Sequence, residues 1–336
     1  MDRLMCTRLF MIFIFHAWGS QLAGQNKKLA QTGFQFLSVT SDARAGGMGE
    51  AMTTMEAYST SLFFNPAGMA RVPNLVDVRF NQNRWIADIL HNSLSVSFRP
   101  SGGEYGVIGF SILSVDYGDF YGTRVAENEK GYEDTGIFTP TALGVGVGYA
   151  RALTDKFSVG AHIKSAHAYY GNSVIPVTDT TRTVIKNLAS ALALDFGTIY
   201  FTGFKSLAFG MSVRDFSEEI KFESEGFQLP LTFRIGVSMD VLDFFPAAQG
   251  FQSLIVSLDA VHPRSYPEYI NLGMEYTLAD ILDVRSGYLF HRDERGLTMG
   301  VGLHKRLGNV LLAVDYSSTP FGIFGNVDRL SLQFSL

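Results

Sequence analysis

"LTFRIGVSMD", Leu231 to Asp240, alternates through its whole length. Leu231, Phe233, Ile235, Val237 and Met239 fall on one side, and Thr232, Arg234, Gly236, Ser238 and Asp240 on the other. Successive side chains of a β-strand point to opposite faces, so a period of two marks a strand with one apolar and one polar face. The pattern recurs along the chain. Val76, Val78 and Phe80 interleave with Asp77 and Arg79; Leu94, Val96 and Phe98 with Ser93, Ser95 and Ser97; Ile270, Leu272, Met274 and Tyr276 with Asn271, Gly273, Glu275 and Thr277. The chain closes on "RLSLQFSL", where Leu330, Leu332, Phe334 and Leu336 alternate with Ser331, Gln333 and Ser335.

Beyond about residue 75 there are about 14 such segments, most of about ten residues, the length a tilted strand needs to cross a bilayer. One face is Leu, Val, Ile, Phe, Met and Tyr. The other carries Gly, Ser, Thr and charges, among them Asp195, Arg214, Arg234, Asp259, Glu275, Arg285 and Asp315. A soluble sandwich would bury the apolar face; a membrane barrel turns it to lipid and keeps a polar lumen. The joins favour the barrel. Counted from the first strand, the odd joins (residues 82–91, 116–136, 170–188, 216–230, 262–268, 291–295 and 318–326) are mostly long. The even joins, "RPSGGE", "RALTDK", "FTGFKS", "LADIL" and "RLGN", are short, and only residues 242–251 break the rule. Long loops at one mouth and short turns at the other are the asymmetry of outer-membrane barrels. No apolar run reaches the 18 residues a membrane-spanning helix requires. The expected fold is all-β: a transmembrane antiparallel β-barrel of about 14 strands over residues 75–336. An even strand count places both barrel ends in the periplasm of a Gram-negative-type cell.

Composition agrees with one large folded unit: 336 residues, 46% hydrophobic, Gly 34 and Pro 10. The net charge of −5, with neither sign in blocks, argues against a nucleic-acid partner. Arg3 and Arg8 precede the apolar run "LFMIFIFHAW", and small residues follow at Gly19, Ala23 and Gly24. Residues 1–24 therefore read as a secretory signal peptide. Its removal takes away Cys6, the single cysteine, and with it any disulfide or thiol chemistry.

Residues 25–74 do not alternate. A barrel of about 14 strands is wider than the eight that side chains alone can fill, so this segment is available to occupy the lumen. Within it, Phe34 to Met52, "FQFLSVTSDARAGGMGEAM", is followed by "STSLFFNPAGMA", Ser59 to Ala70. These two motifs, with "FSVGAHIK" (Phe157 to Lys164) and "ALDFGTIY" (Ala193 to Tyr200), resemble the PorV/PorQ family within the wider group of FadL-like barrels. The resemblance spans nearly the whole chain after the signal. It implies a 14-stranded barrel with an N-terminal hatch packed into its periplasmic mouth. For PorV-type members it implies a type IX secretion role, in which the barrel receives the C-terminal domain of exported cargo. For FadL-like members it implies uptake of hydrophobic small molecules. The partners expected are thus outer-membrane lipid, with a secretion translocon and cargo domains on the first reading and a lipid-like ligand on the second. The secretion role is taken as the main reading and transport as the alternative.

The hatch offers candidate gating residues. Asn65 before Pro66 suits a turn, because the proline ring pushes the preceding residue out of the helical region, and Gly68 allows close packing. The turn serves either as a gate or as a structural corner. Asp42 and Arg44 are available to pair with lumen charges or to stand solvated. "GVGVGY", Gly144 to Tyr149, lacks both the G-x-G-x-x-G spacing and a following helix, so it reads as a small lumen face and not a nucleotide loop.

No histidine combines ligand spacing with carboxylates in the sequence. His162 and His167 fall on opposite strand faces, His91, His262 and His291 lie at or near outer loops, and His304 faces the lumen. No metal, no cofactor and no catalytic nucleophile motif is expected. Tyr149, Tyr200, Tyr276, Tyr288, Phe290 and Tyr316 stand near strand ends, where an interface girdle would place them. The stretches Asp116 to Gly136, Tyr170 to Leu188 and Lys221 to Pro230 are expected to form the outer mouth that meets cargo or ligand.

Overall fold

The computed structural model describes residues 32–176, 182–222, 225–245, 251–292 and 295–336. The signal peptide expected at residues 1–24 and the start of the hatch segment lie outside the described residues. Among the described residues there are eighteen strands in chain order. They are β1 (Val76–Arg84), β2 (Leu90–Phe98), β3 (Val107–Asp116), β4 (Phe120–Val125), β5 (Tyr132–Phe138), β6 (Thr141–Thr154), β7 (Phe157–Pro176), β8 (Arg182–Phe201) and β9 (Ala208–Phe216). They continue with β10 (Ile220–Phe222), β11 (Glu225–Phe227), β12 (Thr232–Asp240), β13 (Gln252–Pro263), β14 (Tyr269–Leu278), β15 (Leu282–Leu289), β16 (Leu297–Leu307), β17 (Val310–Pro320) and β18 (Asn326–Ser335). Fourteen of them form a closed barrel in sequence order, while β4–β5 and β10–β11 are separate hairpins in two of the joins. All barrel pairings are antiparallel, and β1 closes on β18 from Asp77↔Ser335 to Arg84↔Asp328. Closure gives each barrel strand two ladder partners, which is what a sheet needs where no water can satisfy an edge.

Burial is inverted relative to a soluble protein. Phe110, Ile112, Val314 and Leu332 are 51%, 41%, 48% and 46% exposed, whereas Ser95, Ser331 and Asp315 are each at 0%. An apolar outer wall around a polar interior belongs against lipid. Tyr149, Tyr200, Tyr288, Phe290 and Tyr316 point outward on that wall. Among the described residues no helix is long and apolar enough to cross a membrane.

Four joins differ from the sequence reading. The join expected at 82–91 shrinks to residues 85–89, so His91 lies on β2 beside that join, is buried, and meets the Trp85 ring at 6.3 Å. The join expected at 170–188 is strand for most of its length, because β7 and β8 are 20 residues each and stay paired from Asn172↔Lys186 to Pro176↔Arg182. Val174, Ile175, Thr183, Val184 and Ile185 are strand formers whatever faces them, and the extension has lost only the apolar/polar contrast by which strands were recognised. The 116–136 stretch likewise carries the β4–β5 hairpin, and Lys221–Pro230 carries β10–β11.

Candidate functional site

The segment before β1 runs through the barrel from one mouth to the other. At the mouth of the longer joins, Gly33 N–H donates to Gln228 O at 3.1 Å and the Thr32 and Ser265 hydroxyls lie 2.6 Å apart. At the opposite mouth, Arg71 donates to the carbonyls of Thr154 and Asp155 at 3.0 and 2.6 Å. The hatch therefore threads the full lumen; packing into the periplasmic mouth alone, implied by the family resemblance, understates it.

Its outer part is apolar. A 3₁₀ turn over Gln35–Ser38 buries Phe36 and Leu37, and with Phe34 they cover Ala142, Ala166, Ala168, Ala189, Ala191 and Ala193 on the inner faces of β6, β7 and β8. The middle part is ionic. A one-turn helix, α1 (Ala43–Gly47), begins at Asp42, whose carboxylate accepts the Ala45 N–H at 2.8 Å and pairs with Arg79 of β1 at 3.0 Å. Arg44 forks onto Glu275 of β14 at 2.8 and 2.6 Å, the bidentate geometry that makes guanidinium–carboxylate pairs strong. Arg285 joins Glu275 to Asp315, both at 2.6 Å, and also binds Asp283. The helix lies close to the wall because Gly46 and Gly47 have no Cβ: one at Gly46 would stand 2.6 Å from Ser317 Oγ and one at Gly47 3.0 Å from the Gly300 backbone.

Beyond α1, Gly49 takes a left-handed φ of 59° where the chain presses on Leu272 and Tyr288. Glu50 then reaches Arg295 at 2.9 Å. Thr53 donates its N–H and hydroxyl to Asp259 of β13 at 3.1 and 2.6 Å. Ser59 donates its N–H to Asp77 at 3.0 Å.

Asn65 is extended, with φ −144° and ψ 105°, as the following proline requires, and opens a 3₁₀ turn over Pro66–Met69. Its side chain accepts the Ala67 N–H at 3.1 Å and donates to Thr53 O at 2.6 Å and Thr198 O of β8 at 3.1 Å. The wall is notched to receive it. A Cβ at Gly197 of β8 would overlap the Asn65 amide, and one at Gly160 of β7 would overlap Pro66 and Ala67. Gly68 packs under Ser61 and the Met55 carbonyl. Gly144, Gly146 and Gly148 face the lumen on β6, with Leu37 against the first and Leu62 against the last.

All seven lumen-polar candidates are buried: Asp195, Arg214, Arg234, Asp259, Glu275, Arg285 and Asp315. Arg214 and Arg234 donate to the hatch carbonyls of Leu37 and Glu50 at 3.1 and 3.0 Å. Asp195 sits apart from the hatch, in a wall network that the sequence did not disclose. It binds His162 Nδ1 at 3.0 Å and Lys164 at 2.8 Å, and His162 Nε2 meets Ser111 Oγ at 2.8 Å. Ser111 reaches His162 across β6 because Gly146 leaves the space between them empty. His304, read as having no carboxylate partners, stands 2.9 Å from Asp283 and 3.8 Å from Asp315. Those three residues could hold a cation by geometry, but the Arg285 guanidinium already binds both carboxylates. Apart from Arg285 with Asp283, two residues apart on β15, these contacts join segments distant along the chain, so no spacing could have signalled them.

The hatch leaves two vestibules. The outer one, about 690 Å³, is lined by Trp85, Arg214, Arg234, Tyr269, Arg295 and Phe321 among others. The inner one, about 1050 Å³, is lined by Arg44, Glu56, Tyr58, Arg79, Asp283 and His304 among others. Along Leu37, Asp42, Phe63, Phe64, Leu113 and Arg214 the space between hatch and wall narrows to a gap of about 20 Å³, room for no more than a water or so.

No family model and no curated protein matches the sequence. Solved structures do match. The toluene transporter TbuX of Ralstonia pickettii aligns with a TM-score of 0.56 at 12% identity, covering 87% of this chain and 96% of that one. The toluene transporter TodX of Pseudomonas putida gives 0.56 at 11%, covering 92% and 99%. The monoaromatic hydrocarbon channel CymD gives 0.55 at 11%, covering 88% and 97%. At these identities the likeness is one of fold: a closed, 14-stranded antiparallel barrel with an N-terminal segment.

Proposed function

We propose that this protein is an outer-membrane passage for small hydrophobic molecules, held closed by its own N-terminal segment. The observation that carries the reading is the two-sided lumen. Where Phe34, Phe36 and Leu37 lie on it, the inner wall of β6 to β8 is alanine and glycine, with charge confined to the His162–Lys164–Asp195 cluster, while the facing wall of β14 to β18 and β1 is ionic. A water-filled porin has a polar lumen all round. An apolar seam gives a hydrophobic molecule a surface to follow, and apolar contacts between strap and wall exchange for contacts with such a molecule at little net cost. The transport barrels that share the fold support the reading by analogy.

Reconstitution in vesicles tests it. Protein-dependent entry of toluene should exceed that of a hydrophilic solute of similar size. Equal entry of both, or entry of neither, would sink the proposal.

A second reading, passage of exported proteins with a type IX secretion translocon, rests on the paired motifs at 42–49 and 65–68. One structural observation favours it: the β4–β5 hairpin exposes Tyr121 and Val125 at 83% and 93% beyond the barrel, a surface suited to a protein. None of the transport barrels above supports it. Affinity purification from cells, with mass spectrometry of retained proteins and lipids, separates the two readings.

A further inference from the structure

Two guanidinium groups at the floor of the outer vestibule form no direct ion pair among the described residues and bind backbone carbonyls instead. Arg214 on β9 and Arg234 on β12 are 7% and 4% exposed. The register pairs Thr232 with Arg214 and Arg234 with Ser212, so the two arginines are diagonal neighbours on one lumen face, about 7 Å apart at their Cβ atoms. Each donates to a backbone carbonyl, Leu37 or Glu50, and in each the Nε–H meets no partner among the described residues. The nearby acids are engaged elsewhere: Asp215 with Lys164 at 2.6 Å, Asp259 with Thr53, and Glu50 with Arg295. Glu50 and Asp215 line the same cavity and, with Asp259 and Asp195, lie in the field of these two cations, but none of them caps either fork, so each guanidinium keeps an N–H to donate to an anion placed between them.

Both arginines line the 690 Å³ vestibule, whose other walls include the rings of Trp85, Tyr266, Tyr269 and Phe321. Arg295 stands over the Trp85 and Phe321 rings and Arg292 over Tyr269, so the upper walls are already built of stacked planar groups. The volume suits a small organic molecule, and a guanidinium fork suits a planar carboxylate. We infer that the outer vestibule is a binding site for aromatic carboxylates, with Arg214 and Arg234 taking the carboxylate and the aromatic walls taking the ring. The inference deepens the proposed passage function and rests on it for the apolar body of the ligand.

The test uses the purified full-length barrel in detergent and the pair benzoate and toluene, which share a ring and differ in the charged group. Trp85 is the single tryptophan beyond residue 31, so its fluorescence reports the vestibule directly. Benzoate should quench it saturably, more tightly than toluene, and Arg214→Gln or Arg234→Gln should weaken benzoate about 10- to 100-fold while leaving toluene unchanged. Each variant also loses a hydrogen bond to a hatch carbonyl, so heat-shifted gel migration checks that the barrel has closed and the toluene response checks that the vestibule is intact. Toluene binding as well as benzoate, insensitivity to both substitutions, or inorganic phosphate or palmitate competing as strongly as benzoate would each overturn the inference. Vesicle entry of toluene is measured in parallel. If toluene passes and benzoate does not bind, only the carboxylate site fails; if benzoate binds and nothing passes, the passage reading fails.

Discussion

The side chain of Asn65 does three things at once: it caps its own 3₁₀ turn, ties the hatch to Thr53, and anchors both to Thr198 on the wall. Asn65→Ala would leave two buried carbonyls and one N–H short of partners, a loss of about 1–3 kcal/mol in hatch docking. Gly197→Ala attacks the same joint from the wall, by placing a methyl group where the Asn65 amide lies. Both variants should assemble as closed barrels yet show faster proteolysis of the hatch and higher passage; parental rates would show that the joint is not a latch. Glu50 gives a second test of docking: Glu50→Gln removes the carboxylate that Arg295 binds, so hatch release, followed by protease access, should be faster than in the parent, and an unchanged rate would show that this ion pair does not hold the hatch. Asn65 and Pro66 could be picked out in the sequence because their effect is local; the wall residues they touch, Gly160, Gly197 and Thr198, could not.

Strands were legible wherever the two faces differ. Leu231–Asp240 and Tyr269–Leu278 announce themselves because an apolar residue meets lipid at every second position and a polar one meets the lumen. The outer halves of β7 and β8 leave that environment, and with it the contrast; backbone pairing continues to Pro176↔Arg182 without any face that the sequence can advertise. The hatch was legible only as a stretch that fails to alternate. Its contacts, such as Arg44 with Glu275 and Asp42 with Arg79, depend on how the barrel closes and have no local signature. Among the outer elements, β4–β5 is paired along its own length and stands apart from the barrel sheet. Deleting Val125 to Glu133 should leave barrel insertion, measured by heat-shifted migration, unchanged. On the secretion reading the deletion abolishes partner recovery; on the passage reading toluene entry persists.

At the scale of the whole molecule, wall and hatch are stabilised by different interactions. The wall is a closed ladder, β1 on β18 included, and none of its backbone bonds passes through the hatch. The hatch is held by apolar contact in its outer part, by buried ion pairs in its middle and by glycine-notched packing in its inner part. Wall stability and closure of the lumen are therefore separable, and the proposed passage requires that the hatch move while the wall stays intact. On that reading the buried ionic wall gives the lumen a reason to be plugged. Arg79, Glu275 and Asp315 would face open water once the hatch left, and hydrophilic solutes would follow them. Deleting Phe34 to Ala70 should accordingly yield a barrel that still closes and inserts, with the two vestibules of about 690 and 1050 Å³ joined into one polar channel. Its vesicles should admit small sugars and show steady ion conductance, and preference for toluene over hydrophilic solutes should disappear. A deletion variant that inserts yet stays closed would mean that the wall, not the hatch, seals the lumen; one that fails to insert would mean that the barrel needs its own N-terminal segment in order to close.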